Sequence, residues 1–325
     1  MAALPGPLGR LGSTLLSPFR TTTGLTRWLL GAGLAITVFF VVLALFAPWI
    51  APLDFSQTKV DGEKLPKLAS PSGEYWFGTN DQFYDILSRV IWGARTAILV
   101  VVLSVLLSVV AGVLLGIVSG YVGGWTDRLL VFLTDAIYAF PSLLLAIVFS
   151  FLLSDALGGG VVAAALSLTV IYIPQYFRVV RNTTVAAREA TYVEAARAIG
   201  AKDTTIMRRY LFGNVVQSVP VIGTLNAADA LATLAGLGFL GFGIQPTEAA
   251  EWGYDIQRGL DDAAAGVWWP AIFPGVAIVL LITGLTLIGE GLNETINPAL
   301  RKRRLQAVVL PERGVKGTED ERHGR

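Results

Sequence analysis

The sequence predicts an all-α, polytopic membrane protein with six transmembrane helices. Three observations carry that prediction. Apolar residues make up 54% of the 325-residue chain and charged residues only 15%. An ordinary soluble domain carries about a quarter charged residues, so this chain lacks the polarity to wet a surface around a core. The mean hydropathy is +0.61. Finally, six stretches are long and apolar enough to cross a hydrocarbon core of roughly 30 Å, which takes about 20 helical residues at 1.5 Å each.

The elements follow in order. Residues 1–27 form an N-terminal segment, and the first span, 28–50, carries no charge. It is longer than a signal-peptide core, and no small-residue cleavage site follows before Pro48-Trp49-Ile50, so it is expected to stay as an anchor. Segment 51–95 begins polar and proline-bearing, then turns amphipathic around Phe83, Tyr84, Ile86, Leu87, Val90 and Ile91. That pattern predicts an interfacial helix lying on the membrane, with contact to a substrate-delivery protein as a compatible use. The second span, 96–121, is uncharged; the third, 129–153, contains Asp135 and Pro141; the fourth, 159–177, has Pro174 near its end. The fifth, 215–243, is interrupted by Asn226 and Asp229, and the sixth, 267–289, contains Pro270 and Pro274. Prolines are tolerated in such helices because neighbours satisfy the freed backbone groups.

Charge sets the expected orientation. With the N-terminus inside, the cytoplasmic pieces hold 19 of the 25 lysines and arginines, and the outside pieces 51–95 and 244–266 hold the other six. By the positive-inside rule both termini are cytoplasmic. The run Arg301-Lys302-Arg303-Arg304 in the tail 293–325 reads as an anchor at the lipid surface.

Composition also excludes whole classes of chemistry. There is no cysteine, hence no disulfide, thiolate metal site or cysteine nucleophile. The single histidine, His323, lies in the charged tail. No Gly-Lys dipeptide occurs, so the chain has no Walker-type phosphate loop, and energy from ATP would have to come from another subunit. A net charge of +1 gives no reason to invoke nucleic acid. Neither a cofactor nor a metal is expected in this chain, and it is not expected to be an enzyme. Gly236, Gly238 and Gly241 spell a formal G-x-G-x-x-G. Inside a span that spacing reads as close helix packing rather than a dinucleotide site.

Segment 186–213, on the cytoplasmic side, is too long for a mere turn. Strong helix formers run through Glu194, Ala195, Ala196 and Arg197, with Glu194 and Arg197 at a helical pair distance and Gly200 as the stop. Asp203 offers an N-cap for a second short helix, 204–212. On that helix Ile206, Met207, Tyr210 and Leu211 share one face, with Arg208 and Arg209 opposite. Such a stripe must bury itself on the membrane, on the chain's own helices, or in a groove of a cytoplasmic partner.

Glu194-Ala195-Ala196, three residues, then Gly200 resembles the EAA loop of ABC import permeases. Other stretches resemble the C-type subunit of dipeptide/oligopeptide (peptide/nickel) permeases. These are Phe77-Gly78-Thr79, Asp85-Ile86-Leu87-Ser88-Arg89, Gly93-Ala94-Arg95, Gly123-Gly124-Trp125 with Asp127, and Phe140-Pro141-Ser142. Further along, the likeness continues in Phe239-Leu240-Gly241-Phe242-Gly243-Ile244-Gln245-Pro246, Glu251-Trp252-Gly253, Phe273-Pro274-Gly275 and Gly289-Glu290-Gly291-Leu292. Three departures stand out: Phe83-Tyr84 replaces a Gly-Arg, Gly213 stands where a proline is usual, and Leu234 stands where a glutamate is frequent.

The resemblance implies a type I ABC importer-like permease fold with a core at 96–292 and a cytoplasmic coupling helix docked in a cleft of the ATP-binding subunit. The residues implied for that docking are Glu194, Ala195, Ala196, Gly200, Asp203, Ile206, Met207, Tyr210 and Leu211. It also implies a second homologous permease, two ATP-binding subunits that hold ATP and Mg, and an extracytoplasmic solute-binding protein. The expected cargo is a di- or oligopeptide, with nickel, glutathione and haem as same-branch alternatives. Asp229, Asn226 and Asp135 are the candidate pathway residues, since intramembrane acids face a cavity or a partner. Asp229 lies deepest and suits a peptide amine; Asp135 suits either an ion pair or the pathway. Two rivals remain: an ion-coupled secondary transporter, which would need paired intramembrane charges, and a membrane enzyme, which would need a cluster of catalytic side chains.

Overall fold

A computed structural model describes residues 25–296. Most of the expected N-terminal segment, the basic run at 301–304 and His323 lie outside the described residues. The elements are α1 Leu25–Ile50, a two-residue hairpin β1 Lys59–Val60 and β2 Glu63–Lys64, α2 Ile86–Val122, α3 Gly124–Tyr138 and α4 Ser142–Leu157. There follow α5 Gly160–Ala187, α6 Thr191–Ala198, α7 Asp203–Thr205, a π turn Ile206–Leu211, α8 Phe212–Val215 and a 3-10 turn Val216–Ser218. The chain ends with α9 Val219–Phe239, α10 Trp252–Ala264 and α11 Trp269–Ile296. Five helices are long and apolar enough to span, and α3 with α4 makes a sixth as a pair bent by 97°.

That bend falls at residues 139–141. Pro141 removes a backbone donor and biases Phe140 away from helical backbone, which ends α3 and restarts the helix at Ser142. The third span is therefore broken rather than merely kinked. Pro174, by contrast, sits buried inside an unbroken α5.

The expected interfacial helix at 83–91 is absent as a separate element. Asp85 caps α2 by accepting from the Ser88 N–H at 2.8 Å, so residues from Ile86 onward are the first turns of a 37-residue helix. At 1.5 Å per residue it runs to about 55 Å, well beyond the bilayer core, and its first turns form a cap with α10. Ile86, Val90 and Ile91 are buried there among the chain's own side chains, and none of them forms a separate surface helix. In that cap Arg89 pairs with Asp255, and the Trp252 indole N–H donates to the Val90 carbonyl at 3.1 Å. The same ring lies so close to Gly93 that a Cβ would meet it at 2.2 Å.

The core is a helix seam. Gly112, Gly116 and Gly120, one every four residues along α2, face Tyr176, Val180 and Thr184 of α5. A Cβ on any of them would sit within 3.0 Å of those side chains, so the two helices meet backbone to backbone. α1 lies on α11 through Gly33, Gly284 and Gly291 in the same way.

Candidate functional site

The segment expected on the cytoplasmic side folds into a compact knob. Val193 and Ala196, three apart on α6, are buried, while Glu194, Ala195 and Arg197 are exposed. The helix ends in a Schellman motif. Gly200, at φ +78°, donates to the Arg197 carbonyl at 2.9 Å, and Ala201 donates to the Ala196 carbonyl at 3.0 Å. This wrap leaves Ile199 at the tip, 80% exposed.

Behind the tip, Ile206 and Leu211 are fully buried in the chain's own core, and Met207 and Tyr210 pack partly against it. The apolar stripe therefore buries itself on the chain's own helices. Arg208 and Arg209 stay exposed. Both Ile206 and Leu211 reach inward because the backbone widens into a π turn, with the Phe212 N–H donating to the Met207 carbonyl. Such turns recur at functional positions.

Three expectations about this segment are corrected. Asp203 makes no side-chain cap bond; Lys202 is the residue before the helix, and Asp203 Oδ1 instead accepts from the Tyr121 hydroxyl at 2.6 Å. Arg197, expected beside Glu194, lies over the Tyr121 ring at 5.4 Å. Tyr121, at the C-terminal end of α2, thus ties both halves of the knob to the bundle. Nor does the second helix stop at Phe212. Gly213 keeps its N–H where proline would lose it, and helical backbone runs from Asp203 to Phe239. The arm from the knob to Asp229 covers 26 residues, about 39 Å at 1.5 Å each.

At the far end of that arm lies a cavity of about 230 Å³, lined by Tyr138, Phe140, Ile171, Gln175 and Asp229 among others. Asp229 is exposed into it, with one carboxylate oxygen accepting from the Tyr172 hydroxyl at 2.8 Å. Tyr172 also lies 3.2 Å from the Thr233 hydroxyl. The break between α3 and α4 lines the same cavity through Phe140 and Ser142. Non-helical backbone at membrane depth is tolerated only where it is buried in protein or lines a watery cavity, so this face is not a lipid face. Asn226 does not join Asp229. It is buried, and its amide nitrogen has no partner among the described residues. Asp135 takes the pairing role, bonding Arg178 at 2.8 Å, and Arg178 stacks on the cavity-lining Tyr138 at 3.9 Å.

Comparison with known proteins decides the class. A family model described as binding-protein-dependent transport system inner membrane component matches residues 112–302. A second, the N-terminal TM domain of oligopeptide transport permease C, matches residues 29–71. The glutathione transport system permease protein GsiD of Shigella flexneri serotype 5b is 36% identical over 264 residues, covering 81% of this chain and 84% of that protein. The protein of the same name from Escherichia coli O157:H7 is 34% identical over the same length. The chain belongs to the binding-protein-dependent importer permeases.

As such a permease it is an integral inner-membrane subunit of an ABC importer of the peptide/glutathione family. The ATPase and the substrate-binding protein are separate partners. Two features of this permease were missed in the reading of its sequence. Ile199 looks like one more apolar helix residue until the Schellman turn swings it outward. Glu251 is fully buried, caps α10 by accepting from the Gly253 and Tyr254 N–H groups at 2.8 and 2.7 Å, and lies directly against Gly238. Its signal was available: an acidic residue just before Trp-Gly-Tyr is an N-cap pattern.

Proposed function

We propose that this permease moves short peptides inward, taking its power stroke through the knob at 191–211. A di- or oligopeptide is the first reading; glutathione, itself peptide-like, is the second and is favoured by the names of the relatives. The observation that carries the coupling reading is the uninterrupted helical path from Asp203 to Phe239, which joins an exposed knob to the Asp229 cavity. An ATP-binding subunit covers Ile199, Tyr192 and Glu194. When two such subunits close on ATP and Mg, the knob moves with them, and the arm carries the motion to the cavity. A second, homologous permease supplies the other wall of that cavity, and a solute-binding protein delivers cargo on the opposite side. Both termini then lie in the cytoplasm, as the distribution of lysine and arginine supports.

The chain has no cysteine, which makes the test clean. An Ile199→Cys variant, paired with single cysteines around the cleft of the ATP-binding subunit, is expected to cross-link across that interface in inside-out vesicles. Labelling of position 199 from outside intact cells, or no cross-link to the ATPase in an assembled complex, overturns the assignment.

A further inference from the structure

A second cavity lies far from the transport path. It holds about 850 Å³ between α1, the outer turns of α2, the outer half of α11 and the loop around Tyr75. Its inner wall is apolar, formed by Phe39, Leu43, Val90, Ile91, Val276 and Leu280. The walls cannot close on it. On one side Phe77 stacks on Phe273 at 4.0 Å, and the Trp269 indole donates to the Thr79 carbonyl at 3.1 Å, pinning the loop to α11. On the other, the Trp92 indole donates to the Leu53 carbonyl at 3.1 Å, and the Leu53 N–H donates to the Ser88 hydroxyl at 3.0 Å, pinning segment 51–55 to α2. An apolar gap of this size with fixed walls forfeits the dispersion contacts that close-packed interiors make. Something apolar fills it.

Position and charge say what. Along α1 the cavity runs from Phe39 to Ile50. That is about 17 Å at 1.5 Å per residue, one leaflet of a hydrocarbon core roughly 30 Å thick. The mouth carries Tyr75 and Trp76, and Trp49 stands 78% exposed at the end of α1. Such rings settle at the headgroup level. The charged residues lining the cavity are Glu74 and Asp85. Asp85 is buried and engaged by Ser88 through its backbone N–H and its hydroxyl, whereas Glu74 is exposed at the mouth beside Tyr75, so the charge that meets solvent there is negative.

We propose that this cavity holds one acyl chain of an amine-bearing phospholipid of the extracytoplasmic leaflet, with the headgroup ammonium beside Glu74. The bound lipid acts as a wedge between α1 and α11 and fixes the N-terminal span to the core. The assignment rests on the membrane topology proposed above but not on the coupling or cargo readings, so failure of either of those leaves it standing.

The test uses the assembled transporter in nanodiscs of equal phosphatidylethanolamine and phosphatidylglycerol, read by native mass spectrometry after detergent release. The wild type is expected to retain one lipid at this subunit, with phosphatidylethanolamine favoured several-fold. Val276→Trp, a substitution at a half-exposed position that fills the cavity, is expected to lose it while the complex still assembles. Glu74→Lys is expected to keep a lipid but reverse the preference toward phosphatidylglycerol. Equal retention by wild type and Val276→Trp, a preference unmoved by Glu74→Lys, or cross-linking of a Val276→Cys variant to the second permease each overturns the proposal.

Discussion

Arg89 and Asp255, 166 residues apart, form an ion pair that is 2% and 5% exposed. The guanidinium reaches Asp255 Oδ1 at 2.7 Å through Nη2 and at 2.8 Å through Nε, donates to the Phe55 carbonyl at 3.1 Å, and lies over the Tyr84 ring. One side chain therefore holds the start of α2, the segment around Phe55 and α10 together. A buried pair adds little net stability over an apolar replacement, but removing one partner strands a charge at a cost of about 3–5 kcal/mol. Asp255→Asn or Arg89→Met alone is thus expected to lower the melting temperature of the purified complex sharply. The double variant Arg89→Met with Asp255→Leu is expected to lie closer to wild type than either single one. Additive losses in that cycle would show that the pair is not the organising contact.

Glu251 gives the cap a pH dependence. Burial pushes its carboxyl from an ordinary value of 4.5 up to about 8, against the opposing pull of the Gly253 and Tyr254 N–H groups. Between those values the folded chain holds a proton that the unfolded chain has released, so stability falls as pH rises through the window. The contribution is complete below about pH 4.5 and gone above about pH 8. Glu251→Gln stays neutral throughout and gives up one of two cap acceptors, which costs about 1 kcal/mol. Thermal unfolding of wild type and variant from pH 5 to 8 is expected to show a falling slope for the first and a flatter one for the second. Parallel slopes would remove Glu251 as the source.

The spans were legible in the sequence because membrane depth demands long uncharged runs, and no tertiary contact can override that. Their ends were not. α2 starts ten residues before the apolar run because Asp85 caps it, and the polar residues that follow, Ser88 and Arg89, are satisfied by Asp85 and Asp255 rather than by water. The third span reads as one apolar stretch, yet Pro141 divides it, and no hydropathy pattern distinguishes a kink from a 97° bend. The seam of Gly112, Gly116 and Gly120 was there to be read from its spacing of four. In segment 186–213 Gly200 was legible as a stop, whereas the π turn was not, because the inward direction of both Ile206 and Leu211 depends on how the segment packs on the bundle. Asp229 could be singled out as a deep acid; that Tyr172 holds it toward the cavity, and that Asn226 turns away, depends on how α5 and α9 pack.

Asp229 is expected to matter for cargo rather than for folding. It is exposed into the cavity and keeps one carboxylate oxygen free of the Tyr172 hydroxyl. Asp229→Asn preserves shape and hydrogen bonding but removes the charge that would meet a peptide ammonium, a charge-assisted bond worth about twice a neutral one. Uptake of a peptide with a free amino terminus is expected to fall about tenfold, with unchanged expression and basal ATPase activity. Tyr172→Phe, which only releases the carboxylate, is expected to cost less than threefold. Equal uptake by Asp229→Asn and wild type would take Asp229 out of the path.

The knob yields the sharpest prediction, because its two vulnerable positions fail for different reasons. Glu194 is exposed, so Glu194→Lys leaves the fold alone and reverses one charge on the face proposed to meet the ATP-binding subunit. Gly200 sits at φ +78° and donates to Arg197. Proline fixes φ near −65° and has no N–H, so Gly200→Pro unwinds the Schellman turn and retracts Ile199. Both variants are expected to insert and assemble normally, because the buried anchors Val193, Ile206 and Leu211 are untouched. In proteoliposomes with all partner subunits, each is expected to lose at least tenfold of ATP-driven uptake while retaining most ATP hydrolysis. That split separates coupling from stability, since a misfolded permease would lose both activities together. Full uptake in either variant would place the ATPase contact elsewhere on the cytoplasmic surface.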